Sequence, residues 1–366
     1  MPRGDGQPRR RVTYIWPTKL LVPARPPKLV YLDLNHWVAL AKAQAGHKGG
    51  DEHKGVLAAC DAAASSGAAI FPISDSIYFE VSKIGTYRQR RDLREVIERL
   101  SGFMVVTSRS VVSVHEIETM LDARIGPSND PINEMTYIDW GVMRAFGMNG
   151  AMVIRDRETG ADVTKEVRAR HPGGPDVFDR MLWENQLGLN RSVLDGPTPD
   201  EEPAMRASGW NPRAAFEVAE RRAKQEIEQV ARFNEDPAWR RGRIRDVVAA
   251  RELLIEVNSH LWKGLNDRGM TTLERAFPNP EETARTWDSL PSFDVAVTIK
   301  TQYHQDPGHV WKPNDITDID ALGSTLPYCD IVVTDKAVAA HAKRTGLAER
   351  LGTDVLARLS DLPALL

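Results

Sequence analysis

Lys28-Leu-Val-Tyr-Leu-Asp33 is a short apolar run closed by an acid. Such a run, continuous rather than alternating, reads as a parallel strand buried on both faces, with Asp33 at its carboxyl end. The period then changes. From Asn35 to Ala45 the pattern is helical, with Trp37, Leu40 and Ala41 on one side, and Gly46–Gly50 breaks it. Residues 52–65 are alanine-rich and helical, and Gly67 stops them. Ala68–Ile73 is a second apolar run. Ser74 or Asp75 can cap the next helix, which carries Ile77, Phe79, Val81 and Ile84. A further helix covers about Gln89 to Leu100, and Gly102 ends it before a third strand, Phe103–Val106.

The same style returns at the other end of the chain. A helix start thick with acids opens at Asn314. Ile331-Val-Val-Thr-Asp335 is a fourth strand that again finishes in an acid. Residues 336–350 form a helix, and Val355–Leu359 is a last edge strand. Short apolar strands alternating with amphipathic helices predict an α/β fold, a parallel-sheet α/β/α sandwich. The economical organisation is one sheet domain, residues 28–112 plus 311–366, interrupted by a large, mainly helical insertion over 113–310. Two long amphipathic helices stand out in the insertion. One uses Phe216, Ala219, Ala223, Ile227 and Val230, the other Ile244, Val247, Val248, Leu254 and Ile255, and the charges on their other faces read as solvated. Residues 1–27, rich in proline and arginine, read as a flexible or extended basic arm.

Composition sets the outer limits. The 366 residues are 42% apolar, 27% charged and 7% aromatic, as in soluble globular proteins. Lys+Arg 48 against Asp+Glu 51 gives a net charge of −3, so any basic, nucleic-acid-facing surface must be local. Two cysteines, Cys60 and Cys329, cannot make a disulfide framework, which points to a reducing, cytoplasmic setting. Tyr14–Val22 is short and broken by Pro17 and Lys19, and no later run is long enough to span a bilayer.

The acids carry the chemistry. In open α/β sheets the functional crevice lies at the carboxyl ends of the strands. Asp33 and Asp335 close two strands, Glu80 lies in the helix after the second, and Asp315, Asp318 and Asp320 crowd the helix before the last apolar strand. If the two halves share a sheet, these carboxylates converge on one edge. Carboxylates without cationic partners repel one another, and a divalent cation neutralises them. Hard oxygen ligands suit Mg²⁺ or Mn²⁺. Taken singly, each acid also fits a structural role: Asp315 as a helix cap, Glu80 as a surface residue, Asp335 as the start of a turn.

Leu32-Asp33, Ser74-Asp-Ser-Ile-Tyr-Phe-Glu80, Asp318-Ile-Asp-Ala-Leu322 and Cys329-Asp-Ile-Val-Val-Thr-Asp335 together resemble the acidic motifs of the PIN-domain nucleases. The resemblance implies a small α/β/α fold that cuts RNA phosphodiesters with Mg²⁺ or Mn²⁺. It implies Asp33, Glu80, Asp318 and Asp335 as the catalytic, metal-binding acids. The long insertion before the third acid departs from the small members of the family, and Asp315 and Asp320 compete for that third place. Asp318 fits best by its distance to the last strand, Asp315 is second, and Asp320 reads as outward or structural. A cation-bound water attacking in line would cut the phosphodiester, with no histidine general acid required.

Lys83, Arg88 and Arg91, with Arg90 and Arg94 beside them, follow Glu80 and could track a phosphate backbone; a solvated helix face explains them as well. His36 lies three positions after Asp33, and His304 and His309 share a loop with Asp306. No local Ser or Cys triad, P-loop or dinucleotide motif is present. A haloacid-dehalogenase-type phosphatase would carry a second Asp two residues after the first, where this chain has Asn35. The other rival is a non-catalytic scaffold whose helical insertion binds RNA or a partner protein. RNA is the expected partner, no membrane is expected, and a homo-oligomer or a cognate antitoxin stays open.

Overall fold

The structure, a computed structural model, describes residues 12–148, 153–240 and 242–366. The chain runs through β1 (Leu20–Leu21), β2 (Lys28–Leu32), α1 (Leu34–Gln44), α2 (Lys54–Ser65), β3 (Ala69–Ile70), α3 (Asp75–Ser82), α4 (Tyr87–Ser101), β4 (Met104–Val106) and α5 (Arg109–Ile125). Two short strands follow, β5 (Met135–Thr136) and β6 (Ile138–Trp140). The helical stretch contains α6 (Pro175–Asp195), α7 (Ala214–Glu235), α8 (Ile244–Glu252) and α9 (Pro291–Gln305), with shorter helices between them. Then come α10 (Pro313–Thr325), β7 (Ile331–Val333), α11 (Lys336–Arg344) and β8 (Asp354–Leu356).

Strands β3, β2, β7 and β8 lie side by side in that order, all parallel. A parallel bridge from Ile73 to Val105 brings β4 up beside the end of β3, and β6 pairs antiparallel with β4. Strand side chains alternate between faces. In β2, Val30 and Leu32 pack with Trp37, Leu40, Cys60 and Ile97 on one side of the sheet. Leu29 and Tyr31 pack with Val295, Ile299, Ile319 and Val338 on the other. All four are buried, which is why the strand reads as a continuous apolar run. Their burial contributes on the order of 8 kcal/mol in transfer free energy, and Val30→Asp is the single change that would break the strand. The fold is α/β, with helices on both faces of a parallel sheet.

Several boundaries differ from the sequence reading. Residues 1–11 of the basic arm lie outside the described residues. Residues 12–27 are laid against the protein rather than free. β1 pairs parallel with β5, the Ile15 amide donates to the Ser289 carbonyl at 2.8 Å, and the Tyr14 hydroxyl donates to Asp294 at 2.7 Å. Pro and Arg dominate the arm's composition, but Tyr14, Ile15 and Leu20 do the anchoring. The sheet does not stop at residue 112, because α5 crosses that point and β6 extends the sheet. Nor does the helical region end as a separate unit at 310: α9 is buried along nearly all its length, and its Val295 and Ile299 cover Tyr31. The last strand ends at Leu356, and Leu359 opens a 3₁₀ turn.

The two long helices also bury different faces from those read in the sequence. In α7, Ile227 is exposed while Glu226 and Gln229 are buried. After α8 the backbone winds as a π-helix over Leu253–Val257, which shifts the phase. Leu254 and Ile255 therefore face out, and Val257 and Leu261 go in. The charges are not all solvated. Lys300 Nζ donates to Glu226 at 3.2 Å and Glu252 at 2.8 Å, and Arg109 pairs with Glu252, all inside the protein. No helix among the described residues is long and apolar enough to cross a membrane.

Candidate functional site

β2 and β7 end together. Leu32 pairs with Val333, and the Asp33 amide donates to the Val333 carbonyl at 3.0 Å. At the same edge each strand turns into a helix, and its terminal acid becomes the cap. The Asp33 carboxylate accepts from the Leu34 amide at 2.7 Å. The Asp335 carboxylate accepts from the Ala337 and Val338 amides at 2.6 and 2.9 Å. The amino ends of α1 and α11 therefore stand side by side, each holding a carboxylate in place and partly offsetting its charge.

Glu80 of α3 and Asp318 of α10 complete the group, and their protonation reflects the crowding. Burial first, then the charges of Asp33, Glu80 and Asp335, push the Asp318 carboxyl up to about 9. Burial and then Asp33 push Glu80 up to about 7. Asp33 is raised mainly by burial, with the Leu34 amide opposing and Asp335 adding to it. All four are half-buried. Among the described residues none of them forms an ion pair with a lysine or arginine.

Of the rivals for the third acid, Asp320 is paired elsewhere, and Asp315 is held by its own cap although its charge also reaches Asp318. Asp315 belongs to a capping box, accepting from the Lys312 amide at 2.7 Å, and lies 3.2 Å from His309 Nε2. Asp320 is two residues from Asp318, so it leaves the helix on the opposite side. There it is paired with Arg109 at 2.9 Å and with Arg222. Asp318 is the acid of the three that couples to Asp33, Glu80 and Asp335.

Two tyrosines that the sequence reading missed wall the group. Tyr31 is two residues before Asp33, its hydroxyl lies 3.1 Å from Ser74 Oγ, and burial and then Asp33 raise its phenol. Tyr303 of α9 is raised by burial and then by Asp335, Asp315 and Asp318. The alternation of β2 could have placed Tyr31 there; nothing in the local sequence points to Tyr303. His36 Nε2 reaches the Thr334 carbonyl at 3.3 Å, and burial lowers its pKa. His304, His309 and Asp306 do not assemble. His304 pairs with Glu226 at 2.9 Å, His309 stacks on Tyr303, and Asp306 accepts from the Gly308 amide.

The basic residues after Glu80 divide. Lys83 is coupled to Glu80, donates to Asn314 at 3.3 Å and lies 5.2 Å over the Phe216 ring. Arg88 and Arg91 pair with Asp92 and Glu95 one turn along their own helix, at 3.9 and 3.6 Å. Arg90 is buried and donates to the carbonyls of Ile84, Asp195 and Pro197. Arg94 pairs with Glu98 and Asp195.

The donor set is all carboxylate, which suits a hard divalent cation. Among the described residues, however, no group of three or more His, Cys, Asp or Glu is drawn tightly enough to hold a metal ion as it stands. Comparison with protein-family models, with curated proteins and with solved structures returned no match.

Proposed function

We propose that this protein is a metal-dependent ribonuclease with a PIN-like catalytic sheet, the helical region before Asp318 being an elaboration of that sheet, and that it works in the cytoplasm. One observation supports the reading above the others: Asp33, Glu80, Asp318 and Asp335 come from four elements scattered through the chain, couple electrostatically, and form no ion pair with a lysine or arginine among the described residues. Asp33, Glu80, Asp318 and Asp335 would hold Mg²⁺ or Mn²⁺, which when bound would supply an activated water and charge stabilisation for phosphodiester hydrolysis. The residues do the rest. The Leu34, Ala337 and Val338 amides hold the Asp33 and Asp335 carboxylates at the ends of their strands. Asp318 keeps a proton on its carboxyl at neutral pH and releases it when positive charge enters the group. Lys83, exposed beside Glu80, offers an ammonium to a phosphate oxygen.

The test is cleavage of a single-stranded RNA with Mn²⁺ or with chelator. Asp33→Asn should abolish the metal-dependent cut while leaving the thermal transition in place. Cutting at the unsubstituted rate would remove Asp33 from the site. The scaffold reading is favoured by the spacing of the acids, which do not grip an ion as they stand. It expects no Mn²⁺-dependent rise in melting temperature, whereas the ribonuclease reading expects one.

A further inference from the structure

Helix α3 carries Glu80 into the acidic group, and the two residues before it, Tyr78 and Phe79, line a cavity of about 920 Å³. Phe146, Val193 of α6, and Met205 and Trp210 from the segment before α7 form other walls. The size lies within the range that encloses an organic molecule of nucleotide dimensions, roughly 300–1,000 Å³. The Phe146 ring is 5.1 Å from Phe79 and 5.9 Å from Tyr78, so this wall is aromatic surface.

Tyr78 is 2% exposed, and its hydroxyl is buried with no hydrogen-bond partner among the described residues. The ring, not the hydroxyl, is therefore what Tyr78 brings to the cavity wall. Arg90 also lines the cavity, but its guanidinium is spent on three backbone carbonyls and holds the 195–197 turn in place. Lys83 is one helical turn after Phe79 and couples to Glu80. A single stretch, 78–83, thus presents aromatic surface, an acid of the site and a cation.

We propose that this cavity receives an unstacked nucleobase of the single-stranded RNA whose phosphodiester meets the acids, an inference that rests on the ribonuclease reading. Aromatic faces hold bases of single strands by stacking, with little sequence preference.

The probe is a fluorescein-labelled single-stranded RNA octamer, compared with the same octamer made of abasic ribose units. Both are titrated into the full chain carrying Asp33→Asn, so that binding is read without cutting. The octamer should bind on the order of tenfold more tightly than its abasic counterpart, the size expected for one stacked base. Trp210→Ala and Ala204→Trp, the second filling the cavity, should each erase that difference. If one variant melts early, the other decides. Equal binding of the two octamers, or variants that leave the difference intact, overturns the inference. If the unsubstituted chain still cuts RNA with Mn²⁺ in that case, the cavity inference fails alone. If it neither binds nor cuts RNA, the ribonuclease reading falls with it.

Discussion

Replacing Asp318 with asparagine should stabilise the protein while destroying the proposed nuclease activity. Burial and the charges of Asp33, Glu80 and Asp335 raise the Asp318 carboxyl from 3.8 to about 9. A raised acid binds its proton more tightly in the fold than in the unfolded chain. Below pH 3.8 both states are protonated and the fold suffers no penalty. Above it the penalty grows by about 1.4 kcal/mol per pH unit until the folded carboxyl ionises near pH 9. At pH 7 the ceiling is about 4 kcal/mol, and solvent reaching a half-buried group brings this to on the order of 2 kcal/mol. Among the described residues no hydrogen bond is made to the Asp318 side chain, so Asn forfeits none. Asp318→Asn should therefore melt roughly 4 °C higher at pH 7 without divalent cations. The gap should be small near pH 5 and widen towards pH 8.5. Paired thermal melts across that range read it directly. A gap that stays constant with pH, or a variant that melts lower throughout, would refute the reasoning.

Cleavage at sub-saturating Mn²⁺ should rise between pH 6 and 9, because the cation must displace protons from Glu80, raised to about 7, and Asp318, raised to about 9. A flat rate over that interval would contradict the assignment. Arg222→Leu strips Asp320 and Glu256 of a partner at 2.9 Å or closer, and should cost roughly 3–5 kcal/mol in denaturant unfolding; a loss below about 1 kcal/mol would show that the network is not cooperative. Lys83→Ala should weaken binding of a single-stranded RNA and flatten its salt dependence, whereas Arg88→Ala and Arg91→Ala, paired along their own helix, should leave affinity within about twofold. Equal losses in all three would restore the basic run as a phosphate track.

The strand-end acids were legible because a parallel strand buried on both faces announces itself as an apolar run. Asp33 and Asp335 close two such runs, and the register of β2 against β7 puts them at one edge. Choosing Asp318 over Asp320 needed only the helical period, since residues two apart face opposite ways. The groups that engage Asp315, the Lys312 amide and His309, lie on the same turn and a preceding loop. Other features depend on contacts distant in sequence. Arg222 meets Asp320 across 98 positions, and Lys300 meets Glu252 across 48, so both looked like solvated charge. The π-turn at 253–257 breaks the period on which a helical face is read. Tyr14 and Ile15 anchor a segment whose prolines and arginines suggested a free arm.

Soaking crystals of the full chain in Mn²⁺ and locating the ion by anomalous scattering addresses the central claim most directly. The ion should sit among Asp33, Glu80, Asp318 and Asp335, with carboxylate oxygens at about 2.0–2.2 Å, and Asp315 and Asp320 should remain with His309 and the arginines. An ion bound elsewhere, or no ion while these four acids stay apart, would contradict the account.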